Sequence, residues 1–424
     1  MIAKVLVAGG GTGGHLFPGI AVVEELRRRL PSVEVLFVGT QRGIEARVLP
    51  ELGERFEAID VRPLVGRSRG ELARNLLSLP RAGLQALRIV RSFKPDLALG
   101  LGGYAAGPVL LAAATLRART ALLEQNVHVG LTNQLLAKSV GRAYLTFEEA
   151  APAFGAQRAR VLGNPVRRAF VEAARMAGHD PEGAAARARS VLVLGGSQGA
   201  KRLNEIVPQA LARAGVSRLA VSVVHQTGPS MVDAVSARYR ELGIDAEVLP
   251  FIDDVARAYL GASLVIARAG AGTLAELCAI GRASVLVPLP AIGPRQLDNA
   301  LALERAGAAV TLPEDELTVE RLASLASDLL TNADRRVHMA DAARRRGRPD
   351  AAAAIVDDLL GWLGVPTQGE PEAHDEPQSS SDDSASAQSA SESPPSPRAI
   401  RRKPKVKRAT LSLRPVAAPL DAAR

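Results

Sequence analysis

Two stretches of this chain are built alike. Val5-Leu6-Val7-Ala8-Gly9-Gly10 opens the first half, and Val191-Leu192-Val193-Leu194-Gly195-Gly196 opens the second. Each is a short apolar run, then a glycine loop, then a segment with helical periodicity. An uninterrupted apolar run of this length reads as a strand buried on both faces. Glycines before a helix read as a phosphate-facing turn, since they accept positive φ and let an anion reach bare N–H groups. Strand, loop and helix in that order begin a doubly wound α/β domain, and this chain begins one twice.

The rest of the chain continues the alternation. In the first half the pattern predicts strands over about 3–8, 33–38, 96–101, 119–123, 142–146 and 159–162, with helices over about 14–30, 71–92, 105–116 and 130–138. In the second half it predicts strands over about 190–194, 219–224, 246–249, 263–267, 284–287 and 308–311, with helices near 199–213, 229–242, 271–281, 295–306, 316–331, 333–346 and 350–363. The pattern breaks over about 165–188, where Met176 to Gly183 reads as irregular. Glycine and polar residues recur after the strands, as in Gly102-Gly103-Tyr104, Glu124-Gln125-Asn126, Gly163-Asn164-Pro165-Val166-Arg167 and Arg268 to Thr273. The carboxyl edges of two such sheets form the expected ligand cleft. The expected domains are 1–165, 166–365 and a tail of 366–424, with the last helix free to pack back on the first domain.

Composition narrows the partners. Aromatic residues are 3% of the 424, so nucleic-acid binding by base stacking is not expected. The net charge of +9 suits an anionic partner such as a nucleotide or an acidic membrane surface. The single cysteine, Cys278, excludes an intramolecular disulfide and reads as a packing residue. Met1 to Lys4 leads straight into the first strand, so no secretory leader is expected. Gln368 to Pro397 is rich in Ser, Asp, Glu, Pro and Ala and is expected to be disordered. The basic run Arg398 to Arg408 behind it reads as a solvated tail or a weak tether to anionic lipid or nucleic acid.

The spacing Gly9-x-Gly11-x-x-Gly14 matches a dinucleotide fingerprint, but a nicotinamide site wants an acid at the end of the second strand. That strand ends Leu36-Phe37-Val38-Gly39-Thr40, with none. His15 follows the loop directly. Near the positive end of a helix its imidazolium is disfavoured, and a neutral imidazole in a cleft can serve as a general base near pH 7. A histidine at a helix start can equally satisfy only local hydrogen bonds. The second loop, Gly195-Gly196-Ser197-Gln198-Gly199-Ala200, suits a diphosphate and lacks the Lys-Ser/Thr ending of a nucleoside-triphosphate loop. Arg268 at a strand end reads as a phosphate cation or as half of an ion pair. Glu276, about one turn into a helix, reads as a ribose ligand or a dipole complement. Gln296 and Asn299 share a helix face and read as sugar ligands or solvated residues. No Cys/His cluster has metal-ligand spacing, there is no Asp-x-Asp, and Asp253-Asp254 would diverge in extended chain; no metal and no other cofactor is expected.

Taken together, these residues resemble the MurG family of bacterial peptidoglycan N-acetylglucosaminyltransferases. The matching segments are Gly10 to Gly19, Gly100 to Tyr104, Glu124-Gln125-Asn126, Gly130 to Asn133, Gly163 to Arg167, Gly195 to Ala200, Phe251 to Asp254, and Arg268 to Glu276, in family order over about residues 1–360. The resemblance implies a GT-B fold, two Rossmann-like parallel-sheet domains facing across a cleft. It implies inverting transfer of N-acetylglucosamine from its UDP donor to undecaprenyl-pyrophosphoryl-N-acetylmuramyl-pentapeptide (lipid I), giving lipid II for peptidoglycan. The alternative is a related GT-B transferase with another lipid or glycan acceptor. It implies that Ser197 and its loop face the diphosphate and that Ile252 meets the uracil through its backbone. Ala271, Gly272 and Thr273 lie along the nucleotide, Glu276 takes the ribose, and Gln296 and Asn299 take the sugar. Thr12, Gly13, Gly14, Asn126 and Arg167 complete the donor site. His15 is the first choice for the base and Glu124 the second, with Asn126 positioning the hydroxyl and the first loop suiting the acceptor's pyrophosphate.

The implied location is peripheral, on the cytoplasmic face of the inner membrane, with the anionic leaflet and other cell-wall and division proteins as partners. Residues 64–91 supply an amphipathic basic surface: Leu64, Val65, Leu72, Leu76, Leu77, Leu79, Leu84 and Leu87 beside Arg67, Arg69, Arg74, Arg81, Arg88 and Arg91. Pro80 is expected to break the helix there. The chain departs from the family pattern at Leu123, Gly272 and Arg295, where histidine, leucine and glutamine are usual. A base assigned to a histidine before Glu124 is therefore impossible here.

Overall fold

The computed structural model describes residues 4–62, 69–179, 189–196, 199–290 and 295–365. The strands are β1 Lys4–Gly9, β2 Glu34–Gly39, β3 Phe56–Ala58, β4 Leu97–Gly102, β5 Arg119–Glu124, β6 Arg142–Leu145 and β7 Ala159–Val161, then β8 Ser190–Leu194, β9 Ser222–Gln226, β10 Ala246–Leu249, β11 Ala262–Ala267, β12 Ser284–Leu286 and β13 Val310–Thr311. The α-helices in the first half are α1 Gly13–Arg29, α2 Glu45–Glu51, α3 Arg69–Phe93, α4 Ala106–Thr115, α5 Leu131–Leu136 and α6 Arg168–His179. Those that follow are α7 Lys201–Ala214, α8 Val232–Glu241, α9 Val255–Gly261, α10 Ala271–Ile280, α11 Arg295–Arg305, α12 Val319–Thr331, α13 Ala333–Arg346 and α14 Ala351–Leu363.

The strands form two sheets, ordered β3-β2-β1-β4-β5-β6-β7 and β10-β9-β8-β11-β12-β13, with every pairing parallel. The order reverses between β1 and β4 in one and between β8 and β11 in the other. These are the switch points outside which open α/β sheets bind ligands. Both glycine loops leave the carboxyl ends of the strands at those points. The two-domain Rossmann-like reading of the sequence is the architecture of the molecule.

Each sheet is covered on both faces. Val5, Val7, Leu97, Leu99 and Ala121 pack against α1 residues Leu16, Ile20 and Val23, while Leu6, Ala8 and Ala98 pack against Ala86, Ile89 and Val109 on the other side. Helix α14 sends Ile355, Val356, Leu359 and Leu360 into the first of these clusters. Asp358 on that helix accepts from the Tyr144 hydroxyl at 2.8 Å and pairs with Arg142 and Arg160. The chain thus ends its described part on the half where it began.

Several elements differ from the sequence pattern. Helix α3 runs through Pro80 rather than breaking there. Ala82, Ala86, Ile89, Val90 and Phe93 bury one continuous face, and that packing outweighs one lost backbone hydrogen bond. Helix α6 occupies half of what reads as irregular chain over 165–188, because Phe170, Ala173 and Ala177 are buried against Tyr259 and Leu277. Strand β9 starts later than expected: Val221 donates back to Val216 in the turn after α7. The short elements β3 and α2 carry too few apolar residues to show a period. Ser197, Leu64, Val65 and Arg67 and the tail from 366 lie outside the described residues.

Candidate functional site

His15 sits in the first turn of α1, with Thr12 as the N-cap residue. Its Nδ1 lies 3.0 Å from Oε1 of Gln125, at the end of β5. The Gln125 side chain is buried, and its Nε2 donates to the Leu101 carbonyl at 3.1 Å. That donation fixes the amide orientation, so Oε1 accepts and the imidazole carries its proton on Nδ1. Nε2 is left with a lone pair. Burial holds the imidazole below its ordinary value, opposed by the charge of Glu124 and the Gln125 hydrogen bond, while Arg295 across the cleft pushes it lower. The ring needs space that only glycine leaves: a β-carbon on Gly102, at φ 90°, would lie 3.1 Å from it.

Glu124 is buried and fully engaged. It accepts from the Asn126 N–H at 3.0 Å, the Asn126 side chain at 3.2 Å, the Gly130 N–H at 2.9 Å and the Asn133 side chain at 2.9 Å. These four donors use the carboxylate to order the loop from Gln125 to Asn133. Asn126 then reaches the other half. Its Oδ1 accepts from Asn299 Nδ2 at 3.1 Å, and Asn299 Oδ1 accepts from the Val127 N–H at 3.0 Å. Asn299, on α11, is completely buried by these bonds. His128 and Asp298 pair beside them at 2.6 Å.

Arg167 bridges the halves a second way. Its guanidinium lies 5.2 Å from the ring of Phe17 on α1 and 5.2 Å from that of Phe170 on α6, and it meets Glu276 at 3.4 Å. Glu276 is on α10, and burial pushes its carboxyl up to about 7 despite Arg167. Ala271, Gly272 and Thr273 form the first turn of the same helix, beyond β11. A β-carbon on Gly272 would meet nothing within 4 Å, so this departure leaves open space. Ile252 buries its side chain in the core of the second half. Gln296 accepts from the Leu289 N–H at 2.9 Å.

The second loop is described at Gly195, Gly196, Gly199 and Ala200; Ser197 falls outside. Gly199, at φ 74°, lies so close to the Thr227 carbonyl that any side chain would overlap it. Beneath it is a buried network that the sequence does not announce. His225 Nε2 lies 3.1 Å from Asn204 Oδ1 and its Nδ1 lies 3.0 Å from the Tyr239 hydroxyl, while Asn204 donates to Thr227 at 2.9 Å. Arg268 is an ion-pair residue, held by Glu314 and the Val287 carbonyl. The sequence pattern singles out neither Gln125 nor Asn164, which is buried with neither amide atom partnered among the described residues. Their positions after the expected strands were the available signal.

The first loop also differs from the expected phosphate cradle. The Gly11 N–H donates to the Glu45 carboxylate at 2.6 Å. The N–H groups of Gly13 and Gly14 lie in the first turn of α1 and have no intrahelical partner.

Comparison with known proteins gives the family. Residues 5–145 match the glycosyltransferase family 28 N-terminal domain, and residues 190–355 match its C-terminal domain. A UDP-N-acetylglucosamine–N-acetylmuramyl-(pentapeptide) pyrophosphoryl-undecaprenol N-acetylglucosamine transferase of Anaeromyxobacter sp. (strain Fw109-5) is 47% identical over 355 residues, 84% of this chain and 92% of that protein. The crystal structure of Acinetobacter baumannii MurG is similar with a TM-score of 0.68 and 32% identity, over 85% of this chain and 99% of that one. A UDP-GlcNAc 2-epimerase from Neisseria meningitidis, at 14% identity and a TM-score of 0.59 over 85% of this chain and all of that one, shares the fold alone. Two matched domains in order, on two parallel sheets with their loops at the switch points, lead to one conclusion: the chain belongs to glycosyltransferase family 28, in its MurG branch of GT-B enzymes.

Proposed function

We propose that the chain transfers N-acetylglucosamine from UDP-N-acetylglucosamine to lipid I, forming lipid II, with inversion at the anomeric carbon. The observation that carries the mechanism is the His15–Gln125 pair. It supplies a desolvated imidazole with a fixed tautomer, next to donor-side residues of the other half. His15 Nε2 takes the proton of the acceptor hydroxyl. The hydroxyl oxygen bonds to the anomeric carbon as the bond to UDP breaks, and the leaving electron pair goes to the β-phosphate oxygen. The helix N-termini after Gly199 and Gly270 stabilise that charge.

In this reading the donor lies over the second half. The 195–199 loop, with Ser197, faces the diphosphate, and Glu276 accepts the ribose hydroxyls. Ile252 meets the base through its backbone, and Ala271 to Thr273 line the nucleotide. Gln296 and Asn299 serve the sugar, with Asn299 exchanging its bonds to Asn126 and Val127 for the ligand. Thr12, Gly13 and Gly14 approach from the first half, where the two glycine N–H groups suit the acceptor's pyrophosphate. Arg167 adds positive charge. Glu124 orders the loop that presents Asn126, and the base role belongs to His15. The domain limits follow the same division, near 165 and 365.

Membrane association is read from the first half. Leu84 on α3, Leu111 on α4 and Leu131 and Leu135 on α5 are exposed, with Leu135 at 71%. Exposed Arg81, Arg88 and Arg91 lie on α3. No described helix is long and apolar enough to cross a membrane. Leucines with basic neighbours suit a peripheral position on an anionic leaflet.

The test supplies purified chain with UDP-N-acetylglucosamine and a short-chain lipid I analogue in detergent and follows UDP release. Turnover is expected, and its absence with a competent acceptor overturns the reading. His15→Ala should lose at least about a hundredfold in kcat while still binding UDP.

A further inference from the structure

The first glycine loop already holds an anion, and it belongs to the chain. Glu45 opens α2 and its side chain is completely buried. One oxygen accepts from the Gly11 N–H at 2.6 Å. The other accepts from the Thr40 N–H at 2.9 Å and the Thr40 hydroxyl at 3.0 Å. The surrounding glycines make room for it. A β-carbon on Gly10 would lie 2.5 Å from Oε2, one on Gly39 would lie 2.5 Å from Cγ, and one on Gly43 would overlap the carboxylate. Among the described residues no lysine, arginine or histidine forms an ion pair with Glu45. A buried carboxylate without a counter-ion persists where several donors converge on it, and here they converge at the carboxyl ends of β1 and β2.

We propose that Glu45 is a specificity-determining residue: its carboxylate fills the anion site formed by Gly11 and Thr40 from within, so no phosphate binds at that end of the first glycine loop. The donor's diphosphate is then left one glycine loop, that of the second half, and the acceptor's pyrophosphate is confined to the N–H groups of Gly13 and Gly14. The direction of the donor rests on the function proposed above; the filling of the loop rests on the contacts alone. Two similar glycine loops in one chain create a choice that this carboxylate resolves, since a phosphate at Gly11 would meet like charge in a desolvated site.

The experiment uses the full chain and inorganic pyrophosphate with UDP present at saturation. Pyrophosphate at millimolar concentration should raise the melting temperature of Glu45→Ala by at least about 3 °C more than that of the wild type. Crystals of the variant soaked in pyrophosphate should show a phosphate bonded to the Gly11 N–H and to Thr40. Glu45→Ser shortens the side chain but keeps it polar, so it also vacates the Gly11 and Thr40 donors and should gain pyrophosphate stabilisation; it serves if the alanine variant does not fold. Equal shifts in wild type and both soluble variants overturn the proposal. So does a wild-type crystal with pyrophosphate on Gly11 and Glu45 displaced. Turnover of the wild type is measured separately, so failure here and failure of the proposed transfer are told apart.

Discussion

His15 and Gln125 act as one unit, although neither residue is unusual alone. Gln125 holds a proton on Nδ1 and thereby leaves Nε2 basic. The lowered pKa of His15 means that the neutral form dominates at pH 7 and that activity is lost as pH falls through a value below 6.5. Gln125→Glu places a carboxylate against Nδ1, which favours the imidazolium. The acid limb of kcat/KM should then move up by about one pH unit, and an unshifted limb would remove Gln125 from this role. Glu276 offers a second titration. Its carboxyl is pushed up to about 7 by burial, and only the carboxylate accepts two ribose hydroxyls. Affinity for UDP-N-acetylglucosamine, measured calorimetrically, should therefore rise about tenfold from pH 6 to pH 8. Glu276→Gln should abolish that rise.

Among the elements, β9 carries a buried histidine that no ligand explains. Burial takes His225 down to about 3. It stays neutral in the fold, accepts from Tyr239, donates to Asn204, and so supports the Thr227 carbonyl under the second glycine loop. In the unfolded chain it titrates at the ordinary 6.5, so the unfolded state binds the extra proton between about pH 6.5 and 3. The stabilisation is fully present above pH 6.5 and declines below it by about 1.4 kcal/mol per pH unit. His225→Gln should flatten that slope in denaturant titrations while lowering stability at pH 7.5. An unchanged slope would assign acid sensitivity to other groups. Helix α3 makes a related point at the same scale: a proline in its interior does not end it, because the buried face on the sheet continues on both sides.

For the whole molecule, two of the contacts between the halves differ in kind. Asn299 is completely buried and bonded to Asn126 and Val127, whereas the His128–Asp298 pair is partly exposed, chiefly on its histidine side. Removing a buried amide that satisfies two partners costs roughly 1–3 kcal/mol, while an exposed ion pair is worth about 0–1 kcal/mol. Asn299→Ala should accordingly destabilise the chain in urea more than Asp298→Ala, and the reverse order would mean that the halves are held elsewhere. Arg167, set between Phe17 and Phe170, links α1 to α6, and α14 returns to α1. Both cross the line between the sheets.

Much of this was legible in the residues. Apolar runs of strand length, and glycines that end them, act through local backbone preference and period, so the two sheets, their loops and the family followed from sequence. His15 stands out because it follows the first loop directly, Glu276 because it lies about one turn into a helix, and Asn299 because it shares a helix face with Gln296. Their partners do not. His15 meets Gln125 across 110 residues, Asn126 meets Asn299 across 173, and Tyr144 meets Asp358 across 214. Glu45 looks like an ordinary surface glutamate until the chain turns its carboxylate toward Gly11. Local pattern determines which elements form and where their ends lie. Which buried donor answers which acceptor is decided by folding, because a desolvated polar group takes whatever partner the packed chain brings within about 3 Å.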